Sequence, residues 1–175
     1  MKDKPLILTD AQVDGVDPAN AAWRVLRAHT EGLKQEKFTE HIRHLSRHWR
    51  AVYTVLHLEG EVNNGGHHQF FWNSEGALNK ETLEDLRLIS ANPFILLFEE
   101  ALDEYQRHDY AGDKGDSGNT WEAFTEAYKE KRMATLDTAF CKTPKTIAMY
   151  LADYIRSNRN MYLGSAKEAP PNGAR

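Results

Sequence analysis

The chain has 175 residues and a formal charge of −4, with 22 Lys and Arg against 26 Asp and Glu. A hydrophobic fraction of 41% excludes an intrinsically disordered chain. The single cysteine, Cys141, excludes an intramolecular disulfide and a zinc site built from cysteines. No apolar run approaches the roughly 18 residues of a membrane span, and the stretch Leu6–Leu8 is too short for a signal peptide. We therefore expect a soluble, cytoplasmic protein of about one domain.

Helix signals recur along the chain, whereas strand signals are weak. The predicted helices cover residues 18–31, 36–58, 64–73, 79–90, 93–109, 119–138 and 144–159. N-capping residues mark most of their starts: Asp17-Pro18, Asn79, Asn92-Pro93, Asn119 and Thr143-Pro144. The sequence predicts an all-α fold of six to seven helices, with a single compact domain over residues 1–163. Residues 164–175 lack apolar side chains to fold around and are predicted to form a flexible tail.

Two predicted helices have clear apolar faces. In 36–58, apolar residues recur at spacings of four and three: Phe38, Ile42, Leu45, Trp49, Val52 and Leu56. In 93–109 the buried face comprises Phe94, Leu97, Phe98, Ala101, Leu102 and Tyr105. His44 and His48 stand four residues apart and could share a metal ion, but a structural zinc site needs four ligands and neighbouring arginines would repel the ion. We expect them to form a polar border, and we expect no metal or other cofactor.

The segment Glu61–Gly76 is the densest motif, and it allows two interpretations. The functional one is a pocket for a small molecule or peptide, or a weakly hydrolytic site, centred on Asn64, Gly65, Gly66, His67, His68 and Gln69. The structural one is the start of a helix, where side-chain amides satisfy backbone groups and the two glycines allow a special backbone conformation. Adjacent histidines face different ways on a helix, and no carboxylate completes a metal motif with them.

The acidic residues are concentrated in the middle of the chain. Residues 1–60 carry a net charge of +1, residues 61–140 carry −9, and residues 141–175 carry +4. Within the acidic region, like charges repeat at helical spacing and continue into the following glycine-rich loop: Glu99, Glu100, Asp103, Glu104, Asp109, Asp113 and Asp116. Either this is an ordinary solvated face, or it is a surface built to meet a basic partner.

The run Glu61–Gly76 resembles the signature of a bacterial family of DNA-mimic proteins. The residues that carry the resemblance are Asn63, Asn64, Gly65, Gly66, Gln69, Phe70, Phe71 and Asn73. The stretch Leu83–Tyr105 is similar to the helix pair that follows in that family, and Leu136–Ile155 resembles its closing segment. The resemblance spans about residues 36–160.

This resemblance implies a mostly helical homodimer without enzymatic activity. It also implies that carboxylates imitate DNA phosphates and occupy the DNA-binding surface of a transcriptional regulator. We therefore expect the acidic residues from Glu99 to Asp116 to bind a basic DNA-binding protein rather than nucleic acid or a membrane. An immunity-type protein that neutralises a basic toxin would use the same surface and stays as an alternative.

Overall fold

The computed structural model describes residues 4–74, 76–107 and 131–164, and these contain eight α-helices and no β-strand. The helices are α1 (Asp10–Val13), α2 (Pro18–Thr30), α3 (Gln35–His44), α4 (Arg47–Ser74), α5 (Asn79–Leu88), α6 (Asn92–Arg107), α7 (Lys131–Cys141) and α8 (Ile147–Ser157). A 3₁₀ turn, Arg159–Met161, follows α8. The prediction of an all-α fold is confirmed, although six to seven helices were too few. None of the helices in these ranges combines the length and the apolar character needed to cross a membrane.

The first two helices begin at side-chain caps. Asp17 accepts a hydrogen bond from the Asn20 backbone N–H at 3.0 Å, which confirms the predicted start of α2. The short helix α1 was not predicted. Thr9 and Gln12 form a capping box at its start. Gln12 N–H donates to Thr9 Oγ1 at 3.2 Å, and Thr9 N–H donates to Gln12 Oε1 at 2.8 Å.

The prediction of one continuous helix over 36–58 is wrong, because the helix is interrupted between α3 and α4. Leu45 is extended, with ψ of 157°, and the next helix begins after Ser46, whose Oγ accepts from Trp49 N–H at 3.5 Å. A serine at this position offers the backbone a partner outside the helix. The apolar period runs across the break, so Ile42 and Val52 are both fully buried.

Three other helix starts differ from the prediction, α5 in its cap and α6 and α8 in their first residue. Helix α5 begins at Asn79 itself, and the preceding Leu78 gives no side-chain cap. Helix α6 begins at Asn92, one residue early, and α8 begins at Ile147 rather than at residue 144. Thr146 caps α8 by accepting from Met149 N–H at 3.3 Å, and Glu59 of α4 accepts from Ala148 N–H at 3.2 Å. These two acceptors bind backbone N–H groups in the first turn of α8, so Thr143 does not serve as the predicted N-cap. The predicted start at Asn119 lies outside the described residues.

Helix α4 is the centre of the packing and contacts α2, α3, α5, α7 and α8, while α6 packs on α5 and α7. Aromatic rings fill the space between α4 and α6: Phe70 and Phe71 lie 5.6 and 6.0 Å from Phe98, and Phe71 stacks on Tyr105 at 4.4 Å. The predicted apolar face of α6 is confirmed for Phe94, Phe98 and Ala101, which are buried, whereas Leu97, Leu102 and Tyr105 are only partly buried. This packing directs the opposite, acidic face of α6 outward.

Candidate functional site

Three of the four predicted acidic residues of α6 have exposed carboxylates. The exposed side-chain fractions are 40% for Glu99, 56% for Glu100 and 57% for Asp103. Glu104 differs, because only 6% of its side chain is exposed. Its position three residues after the buried Ala101 places it at the edge of the apolar face, where α7 covers it. The surface available to a partner on α6 is therefore formed by Glu99, Glu100 and Asp103.

Arginines of the same chain pair with all four carboxylates. Arg87 of α5 lies 2.5 Å from Glu99, Arg107 forms an ion pair with Asp103, and Arg132 of α7 lies 3.6 Å from Glu100. Arg107 and Arg132 also approach the buried Glu104, at 3.1 and 3.4 Å. Glu104 thus anchors two arginines that hold neighbouring carboxylates in place. Exposed pairs of this kind contribute only about 0–1 kcal/mol each, so a partner's cations can replace them at small cost.

The remaining predicted partner-binding residues, Asp109, Asp113 and Asp116, lie outside the described residues. The sequence of residues 108–130 carries six acidic and two basic residues, so its excess of four negative charges equals the net charge of the whole chain. The acidic residues of α6 are therefore followed in the sequence by a second acidic stretch.

Gly65 and Gly66 of the motif have non-helical backbone angles and form a kink in α4. The second half of the helix begins after this kink. Gly66 has φ of 76° and ψ of 179°, a backbone conformation open essentially to glycine alone. A Cβ at this position would overlap the Asp137 carboxylate of α7. Asp137 Oδ1 accepts from His67 backbone N–H at 2.9 Å and from His67 Nδ1–H at 2.6 Å. The kink is thus capped by a carboxylate that arrives from 70 residues further along the chain.

The amides of the motif bind a carboxylate rather than the backbone groups that we predicted. Glu61 Oε2 accepts from Gln69 Nε2 at 2.9 Å and from Asn73 Nδ2 at 2.7 Å, across the kink. Two other members, Phe70 and Phe71, are buried in the core. The motif residues therefore hold the two halves of α4 together.

The remaining motif residues lie near the kink on the surface side. Asn63 and Asn64 are exposed, and Asn63 Oδ1 accepts from the Cys141 thiol at 3.9 Å. A Cβ at Gly65 would meet the end of the Gln69 side chain, which would have to move away. Only Gly66, with its positive φ, requires glycine for its backbone conformation.

The histidines do not form a reactive or metal-binding site of the predicted kind. His67 has no exposed surface and His68 only 7%, so the solvent-accessible imidazole that the hydrolytic interpretation requires is not provided by either. His44 and His48 lie on different helices: His44 Nδ1–H donates to the Glu40 carbonyl at 2.7 Å, and His48 Nδ1 lies 2.7 Å from the Tyr154 hydroxyl. Within residues 4–74, 76–107 and 131–164, no three metal-ligating side chains come together.

Comparison with protein-family models gives a match over most of the described helices. A family model described as DMP19-like protein matches residues 43–158, about two thirds of the chain. The matched range includes the kink at Gly65 and Gly66, the capping residue Asp137 and the whole of α6. Searches of the curated proteins and of the solved structures returned no significant match.

Proposed function

We propose that this chain, which belongs to the DMP19-like family of DNA-mimic proteins, occupies the DNA-binding surface of a basic transcriptional regulator and has no enzymatic activity of its own. The observation that carries the proposal is the row of exposed carboxylates on α6, Glu99, Glu100 and Asp103, within the range that the family model matches. We further propose that Asp109, Asp113 and Asp116 extend this surface.

Carboxylates at helical spacing can take the place of phosphates because both are fixed anions that accept hydrogen bonds from Lys and Arg. Residues four apart on a helix are separated by about 6 Å along its axis, so Glu99 and Asp103 present two charges on one line. At least half of the hydrogen bonds between proteins and DNA go to phosphate and sugar. A protein that binds DNA phosphates therefore carries Lys and Arg side chains that can also bind the carboxylates of α6.

The intramolecular arginines do not prevent this role. Each exposed pair contributes only about 0–1 kcal/mol, so little stability is lost when a partner's cations replace the arginines. A regulator's arginines would exchange with Arg87, Arg107 and Arg132 at the exposed ends of these pairs. Because charge pairs across a surface are screened by salt, binding should weaken steeply between about 0.05 and 0.5 M NaCl.

The test uses two charge-reversal variants of matched design. The first, Glu99→Lys with Asp103→Lys, changes two exposed residues four apart on α6. The control, Glu36→Lys with Glu40→Lys, changes two exposed residues four apart on α3. Tagged wild-type protein and both variants are used to capture partners from the native cell, and the affinity of each for the purified partner is then measured.

We expect the wild type and the α3 variant to capture the same DNA-binding protein, and the α6 variant to bind it at least about tenfold more weakly. Equal affinity of both variants would contradict the assignment of α6 as the binding surface. A captured partner that is a basic toxin without DNA-binding activity would contradict the regulator and favour the immunity-type alternative. We also propose that the protein is a homodimer, and sedimentation equilibrium of the wild type tests this.

A further inference from the structure

The outward face of α6 carries an exposed apolar side chain beside its carboxylates. Among the α-helices that the structure describes, two large apolar side chains are exposed, Leu96 at 63% and Met149 at 50%. Leu96 belongs to α6, and the exposed carboxylates follow it at helical spacing: Glu99, Glu100 and Asp103. At about 100° per residue, these four residues occupy one face of the helix about 100° wide. Leu96 therefore lies within the surface that we propose binds the partner.

The packing of α6 does not account for an apolar residue at position 96. The buried side chains of this helix, Phe94, Phe98 and Ala101, lie on its opposite side. Pro93, almost one turn before Leu96, is exposed as well. Single exposed leucines are common on protein surfaces, so the exposure alone indicates nothing. The position does, because the same face changes from apolar at its start to acidic in its second half.

The charge of the described part of this face is nearly balanced. The four carboxylates of α6 and the three arginines that pair with them leave one net negative charge. Long-range attraction of a basic partner by this part of the surface is therefore weak. Charged residues are depleted at the centre of protein interfaces, where apolar contacts dominate. An apolar contact at Leu96 supplies what the balanced charges do not.

DNA presents the same combination of anions and apolar groups to the proteins that bind it. Its phosphates are joined to sugars, and the methyl group of thymine makes apolar contacts with Ala, Thr or Phe side chains in the major groove. A DNA-binding surface therefore carries apolar side chains next to its Lys and Arg. Such a surface can bury Leu96 while its cations bind the carboxylates of α6.

We propose that Leu96 is the apolar contact of the α6 surface, and that the regulator buries it with the side chains that otherwise contact thymine methyl groups or deoxyribose. The inference rests on the proposed function, because it takes the partner to be a DNA-binding protein. It adds a residue that determines specificity, since a basic surface without a neighbouring apolar patch would leave Leu96 exposed.

The experiment sets apolar contact against charge at one position. Leu96→Glu removes the apolar side chain and adds a carboxylate, whereas Leu96→Met keeps an apolar side chain of similar size. Met149→Glu, at the exposed apolar residue of α8, is the matched control. The probe is the purified DNA-binding protein that the wild type captures, and its affinity for the full chain is measured at about 0.05 and 0.5 M NaCl. Circular dichroism verifies that each variant is folded, and sedimentation equilibrium compares its oligomeric state with that of the wild type.

If charge alone mattered, Leu96→Glu would bind a basic partner more tightly than the wild type. We expect the opposite, an affinity at least about tenfold lower at both salt concentrations, because a buried apolar contact is not screened by salt. Leu96→Met should stay within about threefold of the wild type, because volume-conserving apolar substitutions are tolerated best. Met149→Glu should bind as the wild type does.

Unchanged or tighter binding by Leu96→Glu would overturn the inference, and so would an equal loss in Met149→Glu. If the Glu99→Lys, Asp103→Lys variant is still weakened in that case, the proposed function stands without Leu96. A change of oligomeric state in Leu96→Glu would assign the leucine to a contact between copies of the chain and would also overturn the inference. Failure of the wild type to capture a DNA-binding protein would contradict the inference and the proposed function together.

Discussion

Replacing Gly66 by alanine should destabilise the protein strongly, because two independent penalties meet at the kink of α4. With φ of 76° and ψ of 179°, any residue other than glycine is strained by about 1–3 kcal/mol. The added Cβ would also displace the Asp137 carboxylate from its hydrogen bonds to His67, and a hydrogen bond to a charged group contributes about 1.5–3 kcal/mol. The two effects together lower the free energy of unfolding by roughly 3–6 kcal/mol.

The assay is equilibrium unfolding in urea, followed by circular dichroism at the wavelength of the helical signal. With a slope of about 2 kcal/mol per molar urea, the predicted loss moves the midpoint down by roughly 1.5–3 M. Gly60→Ala is the matched control on the same helix, because a Cβ at Gly60 meets no atom within 4 Å. In an exposed helical position alanine is favoured over glycine, so this variant should be more stable than wild type by up to about 1 kcal/mol.

A double-mutant cycle separates the two penalties. If Asp137→Ala is made first, Gly66→Ala should cost only the backbone term, about 1–3 kcal/mol, because the carboxylate that the methyl group displaces is gone. Two results would refute this prediction. One is a free energy of unfolding for Gly66→Ala within about 1 kcal/mol of the wild-type value, and the other is a loss of stability in Gly60→Ala as large as that in Gly66→Ala.

The remaining predictions concern buried titratable groups. Burial lowers the pKa of His48 and His57 below the ordinary value for histidine, so on acidification the unfolded chain takes up protons first, and stability falls as the pH is lowered from about 7.5 through 6.5. Urea midpoints across that range measure the fall, which should be smaller in His57→Gln; a midpoint that does not move with pH would contradict it. Asp85 is 1% exposed and accepts from Arg50 at 2.9 and 2.8 Å, so Asp85→Asn should cost about 3–5 kcal/mol by urea unfolding. Glu84→Gln, at the exposed carboxylate that binds the same arginine, should cost less than about 1 kcal/mol, and equal losses in the two variants would be the contrary result.

Features encoded by neighbouring residues could be predicted from the sequence. The start of α2 at Asp17 and the buried face of α6 depend on residues within a turn or two of each other, where capping and periodicity act directly. The interruption of the helix at Ser46 also had a local signal, because a serine can cap the helix that follows it. The apolar stripe hid it, because the stripe keeps its period on both sides of the break.

Features that depend on distant residues could not be predicted in this way. Nothing in the spacing of residues 61–76 shows that Gln69 and Asn73 share Glu61, or that Asp137 caps the kink from another helix. The same holds for Arg132, which reaches Glu100 only because α7 packs on α6. The family resemblance did link the motif with the segment around Asp137, and the contact between His67 and Asp137 gives that link a physical reason.

Direct competition with DNA tests the account most directly. A fluorescent duplex that carries the site of the captured regulator is bound to that regulator, and its anisotropy is followed as this protein is added. The account predicts that the wild type and the Glu36→Lys, Glu40→Lys variant release the duplex completely, and that the Glu99→Lys, Asp103→Lys variant needs at least about tenfold more protein to do so. A duplex that stays bound while the wild-type protein binds the same regulator would contradict DNA mimicry.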